Sequence, residues 1–244
     1  MKNFSGLLPV ALASMLLSAP ATPQSATGNA ALDGVLKKMD ALAATFRSAQ
    51  AEFEWDRYEK VIDEVDDFQT GTIYYRRTAK DLEMMADVKQ VGASLDKMKP
   101  EPKYVLFQDG KIHLYQPRTD QVTLYDLGKN KSDFESYLVL GFGGSGQDLK
   151  SAFDVTYAGP ETVQGVATAK LQLIPKSDRV RNQFKQILLW IDLDRGISVQ
   201  QQFFDPQGDY RLAKYSSIRI NEKIKDDVFR LKTTGKTQTV SPRG

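Results

Sequence analysis

The chain has no cysteine and a single histidine in 244 residues. Without cysteine there is no disulfide, no thiolate metal ligand, no thiol nucleophile and no residue to carry lipid at a processed N-terminus. With one histidine, two-histidine metal sites are excluded, and a Ser–His–acid triad would have to use His113. His113 stands between Ile112 and Leu114 in an apolar strand pattern, where an imidazole is far more often packing than chemistry. Carboxylates are plentiful, but no spacing selects a pair. No catalytic residue, cofactor or metal ligand is therefore expected, and the chain reads as a non-enzyme. An excess of one charge is also missing: 33 Lys and Arg stand against 31 Asp and Glu, scattered along the chain, for a net +2. That balance argues against nucleic acid or a strongly anionic membrane as the main partner. Past the N-terminal leader, no apolar run approaches the roughly 20 residues needed to span a bilayer.

The leader itself is informative. Met1-Lys2-Asn3 gives a positive start, Phe4 to Ala19 follows without a charge, and Ala19-Pro20-Ala21 offers small residues at a cleavage spacing. This is the pattern of a secretory signal peptide, cleaved after Ala21 or Ala26. With cleavage at Ala21, residues 1–21 are the signal peptide, 22–29 a flexible leader and 30–244 a single domain. The mature chain is expected to be soluble, monomeric and located beyond the inner membrane, in the periplasm.

Apolar residues Leu32, Val35, Leu36, Met39, Leu42 and Ala43 recur at steps of three and four, predicting an amphipathic helix from Ala30 to Phe46 with Asn29 as its cap. Strand alternation dominates from there on. Phe53 and Trp55, Ile73 and Tyr75, and Leu82 and Met84 alternate with polar residues, and each pair shares one face of a strand. Leu106 and Leu114 are assigned to the same face, although apolar residues flank both. Asp109-Gly110 is a strong hairpin signal, and Gln164-Gly165, Asp194-Arg-Gly196 and Asp205-Pro-Gln-Gly208 punctuate later runs. The expected fold is mainly β (α+β): one strongly curved antiparallel sheet of about ten or eleven strands with a concave apolar surface. Either side chains fill that concavity or a ligand does.

One stretch, Lys131 to Phe153, breaks the rhythm. Phe134, Tyr137, Leu138 and Phe142 surround a glycine-rich Gly141-Phe-Gly-Gly-Ser-Gly146 segment, which reads as two short helices hinged by glycine and crossing over the sheet. The glycines match a dinucleotide fingerprint letter for letter, but no βαβ unit surrounds them. The acidic run Glu59, Asp63, Glu64, Asp66 and Asp67 lacks the ligand ladder of a calcium loop and reads as a solvated hairpin tip.

Several motifs together resemble one family. They are Gly71-Thr-Ile-Tyr-Tyr-Arg-Arg77, Asp109-Gly-Lys111 leading to Tyr115-Gln-Pro117, and Leu171-Gln-Leu-Ile-Pro-Lys176. Ile187-Leu-Leu-Trp-Ile-Asp192 and Asn221-Glu-Lys-Ile-Lys-Asp-Asp-Val-Phe229 complete the set. In this order the chain is similar to the periplasmic outer-membrane lipoprotein carriers (LolA-like), together with the related LolB-type receptors. The resemblance implies a half-open β-barrel with an N-terminal helix and a helical lid over about 131–153. It implies acylated lipoprotein or other lipid as cargo, an inner-membrane donor transporter and an outer-membrane acceptor. In that frame Phe53, Trp55, Ile73, Tyr75, Leu82, Met84, Leu106 and Leu114 line the cavity, and Phe134, Tyr137, Leu138 and Phe142 belong to the lid. Arg77 falls where the family places an arginine that latches the lid, with a plain surface arginine as the other reading. Thr78 replaces the proline that usually follows it. The alternatives are a lipid-sensing regulatory module of the same fold and a lipid hydrolase built on His113.

Overall fold

The first helix, α1 (Gln24–Thr45), buries the stripe Leu32, Val35, Leu36 and Met39 that its sequence spacing marks out. It starts at Gln24, inside the segment expected to be a flexible leader, and Asn29 is an interior residue instead of its cap. Helix propagation past the apolar stripe costs little where no proline intervenes. The computed structural model describes residues 24–79, 81–128, 131, 138 and 140–242, with backbone only at 24–27. The expected signal peptide lies outside the described residues.

Twelve strands follow: β1 (Ser48–Glu59), β2 (Glu64–Arg77), β3 (Leu82–Gly92), β4 (Lys99–Gln108), β5 (Lys111–Gln116), β6 (Gln121–Asp126), β7 (Phe153–Val163), β8 (Val166–Pro175), β9 (Gln186–Asp192), β10 (Ser198–Phe204), β11 (Tyr210–Ile220) and β12 (Gln238–Val240). The helix α2 (Gly146–Ala152) leads into β7, and a single turn, α3 (Asp178–Arg181), precedes β9. All twelve strands form one sheet in the order β12-β6-β5-β4-β3-β2-β1-β11-β10-β9-β8-β7. Every pairing is antiparallel except β12 with β6. That short parallel strand brings the count to twelve, beyond the ten or eleven expected, because its three residues, Gln238 to Val240, carry no alternation long enough to read. β12 and β7 are the two edge strands and do not pair, so the curled sheet stays open and forms a half-barrel.

Tight turns hold the register. Asp109-Gly110 and Gln164-Gly165 both have positive φ at their two central positions, the backbone of a type I′ turn whose twist matches the flanking strands. The inner face of the half-barrel is filled from inside. Over β8 and β9, α1 and Leu149 of α2 pack on Leu171, Leu173, Ile187 and Leu189. Over β1 to β4 and β11, a second cluster gathers Phe53, Ile73, Tyr75, Met84, Phe107 and Tyr215 around Phe142 from the crossover. The outer face has its own cover, with the turn Asp226–Phe229 packing Phe229 on Met85 and Leu106. α1 and α2 are joined by a cap: Asp40 Oδ1 accepts from Gly146 N at 2.8 Å and from Gln147 N at 3.4 Å. Those two N–H groups have no partner within their own helix.

Candidate functional site

Between the two inner clusters lies a cavity of about 260 Å³, lined chiefly by Trp55, Ile73, Tyr75, Met84, Leu138 and Phe203. Ordinary small-molecule sites occupy roughly 300–1,000 Å³. This one is small because part of its room is occupied by the crossover. Phe142 is fully buried, stacks on Tyr75 (centroids 4.8 Å, interplanar 21°) and meets Tyr215 edge-on (4.7 Å, 79°). Burial of one such side chain is worth about 1.5–3 kcal/mol, and the paired rings add about 0.5–1.5 kcal/mol.

The backbone around Phe142 is held by polar contacts from three directions. Ser198 N donates to Gly141 O at 2.8 Å, and the Gln201 amide donates to Leu140 O. Gln201 Oε1 in turn accepts from the Tyr215 hydroxyl at 3.2 Å, so a buried glutamine ties sheet, ring and crossover into one network. Burial raises the Tyr215 phenol far above its ordinary pKa, and burial raises that of Tyr75 likewise. Both stay neutral hydroxyls at any physiological pH. The third tie is Arg77: Nη2 donates to Gly143 O at 3.1 Å and Nη1 to Ala43 O at 3.4 Å. At the start of the crossover, Lys131 Nζ pairs with Asp81 Oδ2 at 2.5 Å.

The glycines of this segment are packing points. Gly143 has φ +85°, and a Cβ there would sit 2.5 Å from the Phe46 ring; Gly141 has φ +74°, and its Cβ would meet Ser198 Cβ at 2.3 Å. Both positions need glycine for backbone conformation and for contact, so the segment expected to be a free hinge is a close-packed seam.

The structure brings together most of the cavity residues read from the sequence. Phe53, Ile73, Tyr75 and Met84 are buried in the inner cluster, and Trp55 packs against it. Phe53 and Trp55 stack at 4.0 Å. Leu82 is buried and alternates with Met84 on the same strand face. Leu114 is half-buried opposite Val105, which packs on the inner cluster. Leu106 is a correction. Its partners across the sheet are Met85 and His113, and it lies on the outer face against Met85 and Phe229. Tyr104 to Phe107 is an unbroken apolar run, so alternation could not choose a face, and fully buried Phe107 takes the inner position instead. Leu138 lines the cavity and Phe142 is buried beside it against Tyr75 and Tyr215, whereas Phe134 and Tyr137 lie outside the described residues. Gln201 and Tyr215 escaped the sequence reading. A glutamine on the inner face of β10 looks like any polar alternation until the crossover is seen to cover it.

His113 sits half-buried on the outer face, away from the cavity, with no side-chain hydrogen bond among the described residues. Burial lowers its pKa, Lys111 adds to this and Asp109 opposes it, so the ring is neutral near pH 7. Among the described residues no group of acidic or histidine side chains could hold a metal ion, and no helix is long and apolar enough to cross a membrane.

No protein-family model matches the sequence, and no curated protein matches it either. Solved structures do. An uncharacterized conserved protein from Thermus thermophilus superimposes with a TM-score of 0.52 at 11% identity, over 87% of this chain and 99% of its own. MucB superimposes with a TM-score of 0.50 at 14% identity, over 83% of this chain and 63% of its own. A LolA superfamily protein from Nitrosomonas europaea aligns at 10% identity over 82% of this chain and 97% of its own, with a TM-score of 0.39. At these identities the likeness to the first two is one of fold. The half-open barrel implied by the LolA-like motifs is the fold this chain adopts.

Proposed function

We propose that this protein is a LolA-like periplasmic carrier that shields acyl chains of lipoproteins or related lipids in its half-barrel and passes them towards the outer membrane. The observation that carries the reading is Phe142. The crossover inserts a fully buried aromatic side chain into the apolar inner cluster beside the cavity, against its lining residues Tyr75 and Tyr215. Contacts from Arg77, Ser198 and Gln201 to the neighbouring backbone hold it there. An apolar group on a segment that can withdraw is a stand-in for an acyl chain. Each CH₂ exposed to water costs about 0.8 kcal/mol, so a chain in transit needs such a shelter. Cargo would take the place of Phe142 and Leu138, exchanging one set of apolar contacts for another at little net cost. That near-balance permits both uptake and release.

Native mass spectrometry of the protein purified without detergent tests this. Intact lipid or lipopeptide bound to the wild-type chain is the expected result, with the Phe142→Ala variant carrying more of it because the competitor is gone. A protein that holds no lipid and takes none up from acyl-labelled probes rules the carrier out. Cleaved lipid products would point to a hydrolase.

A further inference from the structure

The rim of the cavity carries charges that an apolar chain does not use. Four neighbouring strands bring one residue each to the rim: Asp67 on β2, Arg57 on β1, Arg211 on β11 and Phe203 on β10, all of which line the cavity. Arg57 pairs with Arg211 across β1 and β11, and Arg211 with Phe203 across β11 and β10. Asp67 follows Asp66, the partner of Arg57 on β2. Two guanidinium groups opposite each other on a sheet repel unless negative charge lies between or beside them. Arg57 has such charge: Asp66 accepts from its Nε at 3.2 Å and its Nη2 at 3.3 Å, and Glu59 pairs with Nη2. Arg211 has no side-chain hydrogen bond or ion pair among the described residues. Asp67 accepts one hydrogen bond, from Gln69 Nε2 at 3.0 Å, and forms no salt bridge among the described residues. The rim thus presents one cation, Arg211, without an ion-pair partner among the described residues, and one carboxylate, Asp67, held only by Gln69 and the nearby charge of Arg57. They lie two strands apart, about 10 Å between backbones.

We propose that this rim is a headgroup site for a zwitterionic amphiphile, with a phosphate seated on Arg211 beside Arg57 and an ammonium on Asp67. The proposal rests on the carrier reading and names its ligand class. The acyl chains would then run inward past Trp55 towards Ile73 and Met84. The arginine fork suits a phosphate. A purely anionic headgroup would meet Asp67, Asp66 and Glu59, three carboxylates against two guanidinium groups. An uncharged headgroup would leave Arg211 without an ion-pair partner.

The test measures binding of acyl-labelled phosphatidylethanolamine, phosphatidylglycerol and diacylglycerol to the mature chain, with wild type, Arg211→Gln and Asp67→Asn compared. Asp67 has φ +48°, a conformation asparagine also accepts, and Arg211 is exposed, so both variants should unfold like wild type. Wild type should bind phosphatidylethanolamine at least fivefold more tightly than the other two lipids. Arg211→Gln should weaken both phospholipids about tenfold and leave diacylglycerol unchanged. Asp67→Asn should weaken phosphatidylethanolamine and strengthen phosphatidylglycerol. Equal binding of all three lipids, indifferent to both variants, overturns the headgroup site and leaves the carrier standing. Binding of none overturns the carrier and the site with it. Submillimolar binding of inorganic phosphate alone, lost in Arg211→Gln, would make this a free-anion site and overturn the lipid assignment.

Discussion

At the scale of single residues, position on a face decides role. His113 and Ile112 are adjacent in sequence, yet Ile112 packs on the inner cluster while His113 faces outward beside Leu106. Its depressed pKa follows mainly from burial and makes the imidazole a neutral filler. Replacing it with glutamine is therefore expected to leave lipid binding and transfer within about twofold of wild type. Loss of binding in a folded His113→Gln protein, measured with the same acyl probes, would return the hydrolase to consideration. Its lone occurrence and apolar neighbours were visible in the sequence. The face it occupies was not, because the run from Tyr104 to Phe107 that sets the neighbouring register has no polar residue to mark the alternation.

At the scale of elements, the turn between β9 and β10 fixes the strand that carries Ser198 and Gln201. Asp192 is buried at its base, and Asp194 N and Arg195 N donate to its Oδ1 at 2.7 and 3.0 Å. Arg195 Nε reaches Oδ2 at 2.7 Å. Burial alone would raise the Asp192 pKa, but the donors from Arg195 and Asp194 outweigh it and hold the carboxyl below the ordinary value. A carboxylate depressed on folding adds stability that is complete above its unfolded pKa of about 3.9. That stability is lost as pH falls from there through the folded value. Asp192→Asn should lower stability at pH 7 by about 1–3 kcal/mol, the range for losing a buried acceptor. It should also flatten the fall in Tm below about pH 4. Thermal unfolding from pH 3 to 7, wild type against variant, checks this. Asp56 and Asp87, whose pKa values burial raises, contribute slopes of the opposite sign to both curves, so the difference isolates Asp192. Identical pH profiles would show that the turn does not depend on the charge.

At the scale of the molecule, the described part of the crossover is tied to the half-barrel at several points. Polar ties from Arg77, Ser198, Gln201 and Lys131 anchor the crossover, and Phe142 supplies its apolar grip. For a carrier, closed and open forms must lie within a few kcal/mol of each other, so that cargo shifts the balance. Arg77 contributes two hydrogen bonds, one of them long, from an exposed side chain. At about 0.5–1.5 kcal/mol per bond, their loss shifts the open population several-fold. Arg77→Leu should therefore favour the open form and slow cargo release more than uptake, since opening no longer costs these bonds and release no longer regains them. Transfer of a bound lipopeptide to acceptor membranes is the measurement. Equal rates in two folded proteins would reduce Arg77 to a surface charge.

The sequence by itself determined the elements: the spacing of Leu32 to Met39 made a helix, alternation made strands, and Asp109-Gly110 set a hairpin. Each is a short-range choice between periods of 3.6 and 2.0, and such choices are written in neighbouring residues. The tertiary structure alone decided which face of each strand looks inward, as Leu106 and Phe107 show. It also decided that the glycines at 141 and 143 are contact points, and that Gln201, Tyr215 and Phe142 meet. Those outcomes depend on residues far apart in the chain closing on one another, and no local pattern records which partner a side chain will find. The rim of Asp67, Arg57, Arg211 and Phe203 is the same kind of fact. Its charges were legible one by one, and only the curl of the sheet sets them around a single opening.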